Sequence, residues 1–345
     1  MYFSDMVVHQ NFMALSLFQK SLIVSVVHHK GGIIMEVISK EEITSNFSMK
    51  ETMDSIESFY TKKESEFISP DRMHIEDGEN TALLMPAFYG DYYSTKLAGV
   101  APENKNAGKD TIHGLMVLND RKTMEPLFLC DAIAITALRT GALGGLGIKY
   151  LAKADAETLG IIGTGTQGWS HLESALAARD IKHVHIYNRT EEKAHQFKAK
   201  AETRFPQVTF TVSSVEELAR QSDIIVTTTT STTPVLLELH DSDWKGKLIV
   251  GVGSFRPSMQ EISDQVLRIA DEVFVDARSA LHESGDMIQA GHLRSGLENS
   301  WDLEKIITEN DPPQDLEEKT IVYKSVGAAI FDLVVVQSIY EKLYK

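Results

Sequence analysis

The run Glu157-Thr158-Leu159-Gly160-Ile161-Ile162-Gly163-Thr164-Gly165-Thr166-Gln167-Gly168 joins a short apolar segment to three glycines spaced G-x-G-x-x-G. The spacing alone is a weak signal, because three glycines in six residues arise by chance. Here it follows a predicted strand and opens a helical pattern at 169–179, which is the context a dinucleotide loop requires. In such a loop Gly163 allows the tight turn, Gly165 lets backbone approach a pyrophosphate, and Gly168 lets the helix pack close to the strand. The free N–H groups and dipole of the helix N-terminus then favour phosphate.

Working outward, apolar strands alternate with helical stretches. Residues 183–187, 208–212, 223–227, 247–252 and 272–276 read as strands. A helix heads from Thr190 to about Ala201, and Ser213 with Glu216 has capping-box spacing for the next. Six short apolar strands separated by helices predict an α/β fold with a doubly wound parallel sheet, the Rossmann architecture. The flanks differ. Residues 36–130 mix a helix at 49–62 with polar-alternating segments at 94–100 and 113–119, interrupted by Gly and Pro, which predicts a mixed antiparallel sheet. Residues 131–153 read as one long joining helix. Residues 325–343 read as a helix returning to the first region, so that this α+β domain is discontinuous. The expected division is 35–140 with 321–345 for that domain and 141–320 for the Rossmann domain.

Residues 1–34 stand apart. The apolar run at 12–29 is broken by Gln19 and Lys20, with no preceding basic cluster and no following cleavage pattern, so it is a poor signal peptide and a poor membrane span. Met35 opens a more protein-like stretch, in which Ser39 and Glu42 have capping-box spacing. The expectation is an extension outside the fold; an amphipathic interaction helix is the alternative.

Composition narrows the function. The 345 residues suit about two domains. Thirty-four Lys and Arg stand against 49 Asp and Glu, a net charge of −15, which argues against nucleic-acid partners and anionic membranes. A single cysteine, Cys130, excludes an internal disulfide framework and a Cys-rich metal site, and fits a reducing cytoplasm. His28-His29 and His183-x-His185 do not suffice to assign a metal, so none is expected.

The strand at 183–187 ends in Asn188-Arg189-Thr190. An NAD site usually has Asp or Glu here for the ribose 2′-hydroxyl, whereas a neutral side chain followed by Arg suits a 2′-phosphate. Thr190 offers a hydroxyl and a helix cap, and Lys193 adds charge. NADPH is therefore expected over NADH. The threonine run at 227–233, with Thr228, and Ser254 after the fifth strand lie at the carboxyl edge, where ligands of this architecture bind.

Three basic residues in the first region stand out: Arg72 in Ser69-Pro70-Asp71-Arg72, Lys96 downstream of Met85-Pro86-Ala87, and Arg139 in Leu138-Arg139-Thr140. Singly each reads as a surface charge, except that Arg139 sits in an otherwise apolar helix and so needs a partner or a ligand. With these motifs, together with Asp120 to Pro126, Asp131-Ala132, the loop at 163–168, residues 253–261, Glu283-Ser284-Gly285-Asp286 and Lys324-Ser325-Val326-Gly327, the chain resembles the ornithine cyclodeaminase/mu-crystallin family over about residues 36–345.

The resemblance implies two-domain dimers that pair through the non-Rossmann domain and carry out hydride chemistry on amino or imino acids. By position, Arg72, Lys96 and Arg139 resemble the family's substrate-carboxylate and active-site residues. Thr111, Thr166, Gln167 and Asn188 fall where members touch the cofactor, and Val326 and Gly327 fall near substrate and nicotinamide. One departure bears on the reaction. Cyclodeaminases of the family carry an acidic residue in a segment like Gly-Asp-x-Pro-Gly-Lys-x-Glu, but residues 253–261 read Gly-Ser-Phe-Arg-Pro-Ser-Met-Gln-Glu, with no Asp before Glu261. The segment looks more like the reductase members, which act on Δ1-pyrroline-2-carboxylate or Δ1-piperideine-2-carboxylate. The expectation is an NADPH-dependent reductase of a cyclic α-imino acid, with the carboxylate on Arg72 helped by Lys96 or Arg139. Lys96 is the first candidate for proton donor and a bound water the second. The rivals are an open-chain amino-acid dehydrogenase or opine-type enzyme, a cyclodeaminase, and an NADPH-dependent small-molecule binding protein.

Overall fold

Two sheets organise the chain in the computed structural model, which describes residues 35–62, 66–297 and 300–345. The expectation for residues 1–34 lies outside the described residues.

The first sheet comprises β1 (Glu36–Ile38), β2 (Met73–Asp77), β3 (Asn80–Tyr89), β4 (Tyr92–Val100), β5 (Ile112–Asp120) and β6 (Pro126–Asp131), in the order β1-β6-β5-β4-β3-β2. Every pair is antiparallel except β1 with β6. Period-two alternation puts Met85, Ala87, Ser94, Lys96, Met116 and Leu118 on a buried face. Helix Met49–Thr61 packs on two helices, Ala132–Leu151 and Ala329–Tyr344, that cover this face. Helix Met49–Thr61 begins with a capping box at Ser48 and Glu51, and it buries Met49, Met53, Ile56 and Tyr60, one stripe at helical spacing. The box expected at Ser39 and Glu42 is present at the start of helix Lys40–Asn46. The opposite face of the sheet carries the cross-strand row Met73, Leu84, Leu97 and Leu115, of which Met73, Leu97 and Leu115 are exposed.

The second sheet is wholly parallel. It comprises β7 (Thr158–Ile162), β8 (His183–Tyr187), β9 (Thr209–Val212), β10 (Ile224–Thr227), β11 (Leu248–Gly251), β12 (Glu272–Val275), β13 (Trp301–Asp302) and β14 (Ile321–Lys324). The order is β13-β12-β14-β11-β10-β7-β8-β9. The doubly wound core is as expected, but the sheet has eight strands rather than six. The added β14 inserts between β11 and β12, and both of its neighbours are parallel to it. The boundary expected at 320/321 is corrected by this pairing: 321–324 belong to the parallel sheet, and only the chain from Ser325 onward returns to the first region. Helix Ala329–Tyr344 also starts later than expected. Residues 325–328 form a non-helical turn, in which Gly327 has φ +74°. A further correction concerns the cap at 213. Ser214, not Ser213, accepts from Glu217 N, while the Ser213 hydroxyl bonds the buried His185 ring.

The two sheets are joined through helix Ala132–Leu151. Asp131 caps it, accepting from Ala134 N at 2.7 Å. Tyr323 of β14 is fully buried against Gly147, and its hydroxyl donates to Leu143 O at 3.2 Å.

Candidate active site

The glycine loop lies at the carboxyl end of β7, as its sequence requires. Gly163 has φ +103°, and its N–H donates to Tyr187 O. A Cβ on Gly168 would collide with the Gly163 carbonyl, so neither position admits a side chain. Gly165 is different: a Cβ there would meet nothing within 4 Å, so the protein itself leaves this space open. Gly165 is also the N-cap of helix Thr166–Ala178 and provides no side-chain cap. Around it, Thr164 Oγ1 and Gln167 Oε1 are buried without a partner among the described residues. Uncapped helix N–H groups, open backbone and two unsatisfied polar atoms fit a pyrophosphate.

Asn188 accepts from Thr164 N at 3.4 Å and donates to Thr190 O at 2.9 Å, tying the loop to the turn after β8. Arg189 and Lys193 are exposed beside it. Thr190 occupies the N-cap position of helix Glu191–Arg204, but its hydroxyl makes no capping bond, contrary to the sequence reading. The Thr228 hydroxyl donates to Gly163 O at 3.0 Å and so braces the loop from behind.

The basic residues converge. Lys96 in β4 places Nζ 2.7 Å from Asp332 Oδ2, and Arg139 places Nε 3.1 Å from Asp332 Oδ1. The Lys96 and Arg139 side chains are 5% exposed and that of Asp332 is fully buried. Burial pushes Lys96 down to about 8, with Asp332 opposing the shift. Burial acts to raise the Asp332 carboxyl, but Lys96 and Arg139 outweigh it and hold the group below its ordinary value. Arg139 Nη1 is buried without a partner among the described residues, and a Cβ on Gly327 would occupy its position.

Arg72 reaches the same place from the loop before β2. Its Nη2 donates to Val326 O at 3.2 Å and Gly327 O at 2.8 Å, and lies 3.2 Å from Glu283 Oε2. All three contacts use Nη2, and none of them uses Nε or Nη1. Burial lowers the Arg72 pKa from its ordinary value, with Glu283 opposing. Three cations face two paired carboxylates, with Asp276 on the 325–327 backbone beside them, and the Nη1 of Arg139 stays unpartnered among the described residues, in a site sheltered from water. That arrangement can hold a single carboxylate.

Two expected residues do not join this group. Ser254 is fully buried, and its hydroxyl is engaged with Met259 O and Ser284 Oγ, so it has no free face for a ligand. Thr111 precedes β5 and pairs with Ala101, whereas Lys96 lies opposite Met116; at 3.4 Å per residue the two levels are about 17 Å apart. Val326 and Gly327 are brought in, carried there by β14. Sequence reasoning missed Asp332, Glu283 as the partner of Arg72, and Asp276, which holds the 325–327 turn. The signal for Asp332 was present: it is the one acid in the apolar stretch 329–336, as Arg139 is the one base in the apolar stretch 132–148.

The segment at 253–261 serves the frame. Glu261 is fully buried, and its carboxylate accepts from the N–H groups of Thr229, Gly253 and Ser254. Asp286 accepts from Glu261 N and pairs with fully buried Lys324 at 3.1 Å.

Residues 35–345 match the ornithine cyclodeaminase/mu-crystallin family profile. A Delta(1)-pyrroline-2-carboxylate reductase of Bacillus cereus is 40% identical over 270 residues, 76% of this chain and 82% of the relative. Among solved structures, Thermococcus litoralis Delta(1)-pyrroline-2-carboxylate reductase, in complex with NADH and L-proline, matches with TM-score 0.81 and 29% identity, covering 89% of this chain and 96% of that one. An archaeal alanine dehydrogenase dimer with bound NAD matches with TM-score 0.82 and 30% identity, over 89% and 95% of the two chains.

Proposed function

The chain belongs to the ornithine cyclodeaminase/mu-crystallin family, and we propose that it reduces Δ1-pyrroline-2-carboxylate to L-proline with NADPH, and the six-membered homologue to L-pipecolate. It is an NAD(P)-dependent oxidoreductase acting on the carbon–nitrogen bond of an amino or imino acid. The observation that carries the finer reading is the buried group of Arg72, Lys96 and Arg139, with the unpartnered Nη1 of Arg139 beside Gly327.

When bound, the nicotinamide supplies the hydride. The chain's own residues do the rest. The Nη1 groups of Arg72 and Arg139 take the substrate carboxylate, Arg72 being tethered through Nη2 and Arg139 Nη1 being unpartnered among the described residues. Lys96 carries a proton at neutral pH and is acidic enough, at about 8, to release it to the imine nitrogen as hydride reaches the adjacent carbon. Asp332 receives no proton; it stabilises the ammonium and orients it. Fixing the carboxylate and the ring face supplies most of the rate through orientation.

Asn188 and exposed Arg189 support NADPH over NADH, since a guanidinium complements a 2′-phosphate. The absence of an Asp between Gly253 and Glu261 speaks against ornithine cyclodeamination. The likeness to an alanine dehydrogenase supports a second reading, an open-chain α-imino acid with the same carboxylate clamp. The exposed row Met73, Leu97 and Leu115 supports a homodimer through the first sheet. Buried Cys130, the single cysteine, suits a reducing cytoplasm. No described helix is long and apolar enough to cross a membrane.

The test is NADPH oxidation with Δ1-pyrroline-2-carboxylate, run beside NADH, beside pyruvate plus ammonia, and beside L-ornithine plus NAD. Fast oxidation with the cyclic imine alone supports the reading. Faster turnover of pyruvate plus ammonia selects the open-chain alternative, and ammonia release from ornithine overturns both.

A further inference from the structure

Asp276 directly follows β12, and its carboxylate, only 5% exposed, is engaged by a single segment. Ser325 Oγ donates to Oδ2 at 2.7 Å, Val326 N–H to Oδ1 at 3.0 Å, and Gly327 N–H to Oδ2 at 2.7 Å. The peptide that joins Val326 to Gly327 is therefore engaged on both sides. Its N–H gives to Asp276, while its carbonyl accepts from Arg72 Nη2 at 3.2 Å. The next carbonyl, that of Gly327, accepts from the same nitrogen at 2.8 Å. A peptide group between a buried carboxylate and a guanidinium is polarised by both, and each bond strengthens the other. The turn cannot relax away from this position on its other flank, because Arg139 Nη1 lies where a Cβ of residue 327 would be.

We propose that Asp276 is a positioning residue for substrate binding: through the Val326–Gly327 peptide it tethers Arg72 Nη2 and leaves Nη1 for the carboxylate of the imino acid. A guanidinium–carboxylate pair depends on the plane of the fork being set in advance, and a long side chain that must be ordered at each binding event loses affinity. β14 makes the arrangement possible. Its insertion beside β12 brings the 325–327 turn next to Asp276, from residues far apart in the chain.

The inference rests on Arg72 as the carboxylate anchor, and a double-mutant cycle separates the two. D276N is isosteric but presents an amide to N–H donors. KM for Δ1-pyrroline-2-carboxylate, kcat and the NADPH dissociation constant are measured in wild type, D276N, R72M and the double variant. In D276N, KM is expected to rise about tenfold, the scale of one hydrogen bond to a charged group, with kcat and NADPH affinity little changed. In the R72M background D276N should add no further rise. A KM rise in D276N that persists in full without Arg72 overturns the inference while leaving Arg72 as the anchor. Unchanged KM in R72M overturns the reading of Arg72 itself, and the inference with it. S325A, which removes only the hydroxyl bond to Asp276, gives a milder version where D276N does not fold: a smaller KM rise, again absent without Arg72. No rise in S325A with Arg72 present counts against the proposal.

Discussion

Lys96 Nζ and Asp332 Oδ2 lie 2.7 Å apart, one on the fourth strand and the other on the last helix, both shut off from water. The pair gives the site a proton whose hold is set by two opposing forces, burial and a carboxylate. If Lys96 is the donor, kcat/KM falls as pH rises through about 8, where the folded protein loses that proton. Asp332 raises the Lys96 value, so D332N moves the falling limb to lower pH. The same variant leaves Lys96 and Arg139 without their shared counter-charge and should cost about 3–5 kcal/mol of stability. A pH–rate profile and urea unfolding of D332N check the two effects; a limb that stays in place removes Lys96 as donor.

Gly327 combines positive φ with a position that Arg139 Nη1 would share with any Cβ. G327A should therefore displace Arg139 and raise KM for the imino acid at least tenfold, beyond a strain cost of about 1 kcal/mol. Gly90, in the turn between β3 and β4, also has positive φ but open space around it. G90A is the control for strain alone, and its KM should match wild type. Equal effects of the two substitutions on KM would rule out a steric role for Arg139.

Cofactor preference is read from the turn after β8. R189A should lower kcat/KM for NADPH about tenfold and leave NADH nearly unaltered, since one charge-assisted contact to phosphate is lost. N188D should move the preference further toward NADH by repelling a 2′-phosphate. Steady-state kinetics with both cofactors checks this; a preference indifferent to both substitutions places the 2′-group elsewhere.

The exposed leucines of the first sheet carry the assembly prediction. Leu97 and Leu115 face one another across β4 and β5 at 44% and 51% exposure. With Met73 and Leu84 they form one apolar row across four neighbouring strands, a surface suited to pairing. L97R with L115E should give a monomer in sedimentation equilibrium if two copies pair on this face. A dimer that survives both charges puts the interface somewhere else.

The parallel sheet was legible because its strands are buried on both faces and read as unbroken apolar runs. Isolated charges in apolar helices were legible too, and Arg139 was found in this way. Asp332 offered the same signal in Ala329-Ile330-Phe331-Asp332-Leu333-Val334, but only the folded chain shows that the two charges answer each other. β14 was not legible as a sheet strand. Its four residues end in Lys324 and run into a glycine turn, and nothing local tells that the strand inserts between two others rather than joining the flank. Ser254 misled because a small hydroxyl at the ligand edge looks available, whereas neighbouring backbone and Ser284 had already claimed it.

The late placement of β14 also constrains how the molecule comes to be made. It sits between β11 and β12, so until residues 321–324 emerge those two strands have no shared neighbour. The helix after it covers the first sheet, so that layer too waits for residues 329–344. Synthesis therefore delivers two unfinished layers and completes both with the single stretch 321–344. Folding of either half alone leaves apolar surface open, and a prematurely halted chain is a candidate for chaperone capture rather than a smaller working enzyme.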